Sequence, residues 1–376
     1  MPVKNNAIRI FVDAHAFDGE YQGVTTYIKG LYTEISRLCP ETQICMGANN
    51  IENLKKEFKG LTNITFAEYS SRKRTRYLLA IPLIIKNFRA DYAHFQYVCP
   101  PLKSCKYIVT IHDLLFNDFP SEFPFFYRTL RNYSFKSAAK KADILTTVSE
   151  YSRESISKHY GILKNKILVV PDGVDERFFE SYNKDLSKEK IFNKHNVKKY
   201  ILYVSRIEPR KNHEFLLKAY LDLELWKKDI SLVFIGKKTI RNDDFSTLIS
   251  NLPSMVKKKI MMIEQASWDD LLDFYRGADL FVYPSKAEGF GIPPIEAVAL
   301  GVQTLCSNTT AMSDFDFLEK GLFDPTNLSE LKEKILFALD GKLYSDDVIS
   351  SISKIVKDKY SWSSAAKKLL KAMGAE

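Results

Sequence analysis

Two series of short β-branched and aliphatic runs, spaced by helix-length amphipathic stretches, constrain the fold of this 376-residue chain more than any other feature. In the first series, residues 8–12, 43–46, 64–66, 91–95, 107–111 and 144–148 read as strands. They are continuous apolar runs rather than alternating ones, the mark of strands buried on both faces by helices. After a strand at 167–170, Pro171-Asp172-Gly173-Val174-Asp175 is a turn signal. A second series follows at 200–204, 232–235, 259–263, 280–283 and 302–306. The chain is therefore expected to be an α/β protein with two Rossmann-like, doubly wound parallel-sheet domains, residues 1–172 and 173–359. In open sheets of this kind ligands sit beyond the carboxyl ends of the strands, and two such ends facing each other are expected to form a cleft for two substrates.

Hydrophobic residues are 45% and charged residues 27%, which excludes a disordered or collagen-like chain. No run reaches the length of about 18 apolar residues that a membrane-spanning helix needs. The start, Met1-Pro2-Val3-Lys4-Asn5-Asn6, lacks the apolar core of a signal peptide. Cys39, Cys45, Cys99, Cys105 and Cys306 are odd in number and show no metal-site spacing, so a cytoplasmic location and no metal are expected. Residues 1–170 hold 24 Lys+Arg and 15 Asp+Glu, which is the whole net charge of +9. The densest cluster is Arg72, Lys73, Arg74 and Arg76, beside Tyr77-Leu78-Leu79. This half is expected to meet an anionic membrane face or a phosphorylated substrate, the alternative being a solvated basic surface. Nucleic acid is not an expected partner, because the aromatics fall mostly in periodic core positions rather than on a basic face.

The chemistry concentrates in two stretches that each follow a strand. Glu288-Gly289-Phe290-Gly291-Ile292-Pro293-Pro294-Ile295-Glu296-Ala297 follows the run at 280–283. Its glycines allow close backbone approach, and the two prolines suit a first helical turn, so the loop delivers a helix N-terminus, a ready anion site. Glu296 is placed on the first or second turn, where its carboxylate can accept two ribose hydroxyls. Glu288 is placed on the loop, for a further set of hydroxyls. The bland alternative is a helix-start acid and an ordinary glycine turn. Ser205-Arg206-Ile207-Glu208-Pro209-Arg210-Lys211-Asn212 follows the run at 200–204. Arg206 grips phosphate oxygens in pairs and Lys211 adds a point charge, a combination suited to a nucleotide diphosphate. The bland alternative here is a solvated basic turn.

Together these stretches resemble the family-4 retaining glycosyltransferases of the GT-B fold, whose pattern pairs an Arg and a Lys with a Glu-x7-Glu element. Val109-Thr110-Ile111-His112-Asp113 is similar to the family's active-site strand in the N-terminal domain. Tyr360-Ser361-Trp362 is similar to the start of its final helix, so residues 360–376 are expected to return to the first domain. The resemblance implies transfer of a hexosyl group from a nucleotide-sugar, with retention and without a cofactor or metal. It gives Glu296 the ribose, and Glu288 the donor sugar. It brings the Gly289-Phe290-Gly291 backbone to the sugar and diphosphate, and Arg206 and Lys211 to the departing phosphate. His112 takes the donor's C6 hydroxyl, Gly23 lies in a glycine loop near the donor phosphates, and Gly236 and the residues after it lie near the base.

Within the family, the likeness favours bacterial mannosyltransferases that use GDP-mannose to build surface polysaccharide such as O-antigen. The implied acceptor is a glycan or a lipid-linked glycan, met at the inner face of the cytoplasmic membrane. A UDP-sugar donor is the alternative, and a catalytically inactive sugar-binding partner subunit a further one. A dinucleotide-dependent oxidoreductase fits less well, because Pro294 occupies the third glycine position of that fingerprint.

Overall fold

The structure is a computed structural model that describes residues 7–19, 23–239 and 242–374. It divides into two units, residues 1–173 with 360–376, and residues 174–359.

The first unit carries a seven-stranded sheet of β1 (Arg9–Asp13), β2 (Gln43–Ala48), β3 (Ile64–Glu68), β4 (Tyr92–Gln96), β5 (Lys106–Thr110), β6 (Ile144–Thr147) and β7 (Ile167–Val169). All pairings are parallel, in the order β3-β2-β1-β4-β5-β6-β7. Ile10, Phe11, Val12, Ile108 and Val109 are fully buried although neighbours alternate between faces, so both faces are covered. The helix Gly23–Leu38 contributes Tyr27, Ile28, Leu31, Tyr32 and Ile35, an inward stripe at helical spacing.

The final helix, Trp362–Met373, belongs to this unit for a steric reason. Its Trp362 ring fills a notch made by two glycines. A Cβ at Gly30 would come within 2.1 Å of Trp362 Cε2, and one at Gly173 within 2.6 Å of its ring and backbone nitrogen. At the other end of the helix the Tyr92 hydroxyl donates to the Met373 carbonyl at 2.7 Å.

The second unit carries β8 (Lys199–Val204), β9 (Ile230–Ile235), β10 (Ile260–Ile263), β11 (Leu280–Tyr283), β12 (Thr304–Ser307) and β13 (Leu322–Phe323). The order is β10-β9-β8-β11-β12-β13, again parallel. Strand order reverses between β8 and β11, so the two loops singled out by their motifs leave adjacent carboxyl ends at a topological switch point.

Two expectations change. Gly23 is the exposed first residue of a helix, not part of a loop. Arg76 is buried and leaves the basic surface cluster: its guanidinium lies over the rings of Tyr69 and Tyr77, at 5.8 and 4.8 Å, beside Asp13. Asp13 is fully buried; burial opposes its charge, but His15, the Tyr69 hydroxyl and Arg76 hold its carboxyl below the usual range. Most aromatics lie in the core as expected, while Phe125, Phe126 and Tyr133 are well exposed. Burial is the rule for such residues only on average.

Candidate active site

The site in the second unit is built from the loops after β8 and β11. After β8 the chain makes a tight turn, Pro209–Lys211, and leaves it through Asn212 in the left-handed region at φ 59°. Asn212 tolerates that conformation and uses its side-chain amide to donate to the carbonyls of Pro284 (3.2 Å) and Pro325 (3.1 Å). The Lys286 amide donates to the Arg210 carbonyl at 2.9 Å, so the two loops are laced together by backbone as well. Gly236, after β9 at φ 150°, presses against the same turn: a Cβ there would lie 2.0 Å from the Ser205 carbonyl oxygen. Glycine is needed for that packing whatever it contacts in a ligand.

At the centre is Glu288, buried and held on both oxygens. Oε1 accepts from Lys211 Nζ at 2.5 Å, Ser285 Oγ at 2.6 Å and Tyr283 OH at 3.0 Å. Oε2 meets Arg210 Nη1 at 3.0 Å. Arg210 also donates to the Ala287 carbonyl, and Thr310 Oγ1 accepts from the Glu288 amide at 2.8 Å. Burial alone pushes the Glu288 carboxyl up, but Lys211 and Arg210 together outweigh it and hold the group well below the usual carboxylate range. Burial pulls the Lys211 ammonium down, and Glu288 opposes that pull. Desolvation costs several kcal/mol per buried ion, so such a cluster persists only because the anion is met by two cations and two hydroxyls. A carboxylate has about four lone-pair sites. Oε1 has filled its share, while Oε2 retains room for one more donor.

Arg206 is more open. Its side chain is 47% exposed and its Nε lies 3.3 Å from Glu208 Oε1. Glu208 also accepts from Thr239 Oγ1 at 2.9 Å and lies 3.4 Å from Arg210 Nη2, so it ties the exposed cation to the half-buried one.

Gly291 opens the helix Ile292–Ala299 at φ 102°. A Cβ there would lie 3.2 Å from Met312 Cγ, so both conformation and space favour glycine. Pro293 and Pro294 occupy the next turn without N–H groups, which confines donors toward an anion to the Gly289–Ile292 backbone and leaves the helix field intact. The Phe290 ring packs edge-on against Phe315 at 5.8 Å. Glu296, half-buried on the second turn, accepts from the Tyr275 hydroxyl at 2.9 Å. Burial, with a smaller push from Asp175, raises its carboxyl to about 7.

In the first unit, His112 follows β5 and is buried edge-on against Tyr27 (4.9 Å) and tilted against Tyr97 (5.3 Å). Its Nε2 lies 2.7 Å from Gln96 Oε1, so Nε2 carries the proton. Gln96 Nε2 in turn reaches His94 Nε2 at 3.3 Å, and His94 continues to Tyr32 OH and Thr110 Oγ1, both at 2.7 Å. Burial drives both imidazoles down to about 3. His112 is therefore a neutral, oriented ring, and His94 is a member of its supporting network. Asp113 orders the loop by accepting from the Leu115 amide at 3.2 Å.

The structure thus brings Lys211 and Glu288 into contact, and places Arg206 beside them through Glu208. Glu296 stands one turn into the adjoining helix with its own partner. Sequence reasoning missed Arg210, Tyr283, Ser285 and Tyr275. Arg210 had a signal, adjacency to Lys211 in a one-turn segment, and Ser285 had one in its place on the loop just before Glu288; Tyr283 and Tyr275 lie in a strand and a helix and gave none.

The fold defines a class: two Rossmann-like parallel-sheet units of the GT-B type. Residues 186–372 match the family model described as glycosyl transferases group 1, and residues 21–178 match glycosyltransferase family 4. Only 1–20, 179–185 and 373–376 lie outside the two, and the chain belongs to the family-4 glycosyltransferases. It is 27% identical over 234 residues to the serotype-specific mannosyltransferase WbdA of Escherichia coli, a match covering 60% of this chain but only 28% of that protein. It is 24% identical over 324 residues to O-antigen chain mannosyltransferase B of Escherichia coli, covering 81% of this chain and 83% of the relative. The crystal structure of a glycosyltransferase from Rickettsia africae ESF-5 superposes with a TM-score of 0.75 at 20% identity over 97% of each chain, a likeness of fold.

Proposed function

We propose that this chain transfers a mannosyl group from GDP-mannose, with retention at the anomeric carbon, to a glycan or lipid-linked glycan in surface polysaccharide synthesis such as O-antigen. The observation that carries the reading is the buried Lys211–Glu288–Arg210 cluster at the β8/β11 switch point, with Arg206 beside it. The mannosyltransferase relatives support the choice of sugar. In this reading the bond between the sugar C1 and the β-phosphate oxygen breaks while the acceptor oxygen bonds to C1 on the same face. The departing phosphate takes the acceptor's proton, and GDP leaves. Arg206 and Lys211 neutralise the charge that grows on that phosphate. Glu288 Oε2 takes one donor hydroxyl, and Glu296 the ribose. His112, neutral and with its proton held at Nε2, is a hydrogen-bond partner to a donor hydroxyl rather than a base. The chain acts in the cytoplasm at the inner membrane face, a placement supported by the basic first half.

Calorimetry tests the donor. GDP-mannose is expected to bind at least about tenfold more tightly than UDP-glucose, a difference of about 1.4 kcal/mol. The same affinity is expected in EDTA. Preference for the uridine donor moves the assignment to UDP-sugars, and binding that requires added Mn²⁺ removes the metal-free mechanism.

Glu296 gives a pH signature. Its folded value of about 7 means that the carboxyl is largely protonated below neutrality, when it accepts hydroxyl hydrogen bonds poorly. Affinity for GDP is expected to rise severalfold from about pH 6 to pH 8. Glu296→Gln is expected to show only the shallow dependence of the phosphates themselves; a parallel rise in that variant rejects the ribose role.

A further inference from the structure

The helix Phe125–Lys141 packs inward through Phe135, Ala138 and Ala139, and the helical stretch at 73–88 through Tyr77, Ile81 and Ile85. All six join one core cluster with Phe95, Tyr107 and Val109, so the two helices cover the same face of the first unit's sheet. Their outer sides are apolar and bare. Phe125, Phe126, Leu130 and Tyr133 are 65%, 86%, 68% and 78% exposed, and Leu79 and Leu83 are 68% and 58% exposed on the companion helix. Protruding side chains of this size rarely stay in water without a purpose.

Their setting favours one occupant. The 17 residues of Phe125–Lys141 include five Lys or Arg and no acid. Arg131 lies over the Tyr127 ring at 4.2 Å and Arg128 over Phe125 at 5.9 Å, so cations and rings share one surface. Arg72, Lys73 and Arg74 flank the companion helix, all exposed. Among the described residues no helix is long and apolar enough to cross a membrane. Amphipathic aromatics with Arg at their margins suit the headgroup level of a bilayer. We propose that this face of the first unit docks on a bilayer carrying anionic lipid, with Phe125, Phe126 and Leu130 inserted and Arg128 and Arg131 on phosphate groups. The helix follows β5, so its exposed beginning lies at the carboxyl end of the sheet, as His112 does. Tyr97 links them: its ring stacks on Phe135 at 4.6 Å and lies 5.3 Å from His112. A lipid-borne acceptor would thus be delivered at the end of the sheet where His112 stands, which deepens the lipid-linked part of the function proposed above.

Co-sedimentation with vesicles of phosphatidylcholine, alone or with about a third phosphatidylglycerol, tests the surface at low and high salt. The whole chain is expected to pellet with the anionic vesicles at low salt, and at least about tenfold less with Phe125→Ser, Phe126→Ser and Leu130→Ser combined. Arg128→Ala with Arg131→Ala is expected to abolish the preference for anionic lipid. Phe125, Phe126, Leu130 and Arg131 are exposed and Arg128 partly so, and circular dichroism and GDP affinity should match the parent, so loss of docking is separable from failure of the donor site. The proposal is overturned if the parent does not bind, if the triple variant binds equally, or if light scattering shows a dimer that the triple variant splits while vesicle binding persists.

Discussion

Glu288→Gln is expected to lower the transfer rate at least about a thousandfold and to destabilise the second unit by about 3 kcal/mol. The amide keeps an oxygen for Ser285, Tyr283 and Lys211. Its NH₂ group, however, then faces Arg210 Nη1, which lies 3.0 Å from the present Oε2, and the two cations lose their counter-charge. Loss of one member of a buried ionic cluster is worse than loss of all, because the survivors stay desolvated. Donor turnover and thermal melting check both halves of this expectation; ordinary turnover by the variant removes Glu288 from the site. The sign of the pH effect is also fixed. The folded carboxyl titrates below its unfolded value, so its stabilisation is complete above the unfolded value, declines progressively below it, and is gone once pH falls through the folded one, in strong acid. Mild acid should therefore leave this cluster intact.

Arg206→Ala combined with Lys211→Ala is expected to weaken GDP binding by about 3 kcal/mol or more, roughly a hundredfold, with charge-assisted hydrogen bonds of ~1.5–3 kcal/mol each. The single changes should differ in kind. Arg206 is exposed and its removal leaves the loop packing untouched, so affinity and its salt dependence fall while the melting temperature holds. Lys211 is buried against Glu288, and its loss leaves that anion with Arg210 as its remaining cation, so affinity and stability fall together. Guanosine, which has no phosphate, should bind parent and double variant alike. Equal GDP affinity in calorimetry refutes the phosphate role.

Much of the fold was legible because parallel strands need apolar residues on both faces, and runs such as 107–111 and 200–204 leave little else to be. The positions of Arg206, Lys211, Glu288 and Glu296 beyond strand ends were legible for the same reason, since a strand followed by a glycine- or proline-bearing loop fixes which end they occupy. Their mutual contacts were not. Lys211 and Glu288 are 77 residues apart, and only the β8–β11 adjacency, itself a product of the crossover connections, joins them. Charge counting misplaced Arg76 because a guanidinium stacked over two tyrosines beside a buried acid reads, in sequence, as one more surface cation. The bare side of Phe125–Lys141 was not legible from composition, because most aromatics do lie in the core while Phe125, Phe126, Leu130 and Tyr133 share an outer face.

The tryptophan seated between Gly30 and Gly173 has a consequence for how the polypeptide is made. Residues 23–173 leave the ribosome before the second unit, yet the side chain that fills their notch follows it. That lobe is thus completed only after the whole intervening sheet has been extruded, and a chain cut short before residue 362 has a first lobe with a tryptophan-sized hole in its side.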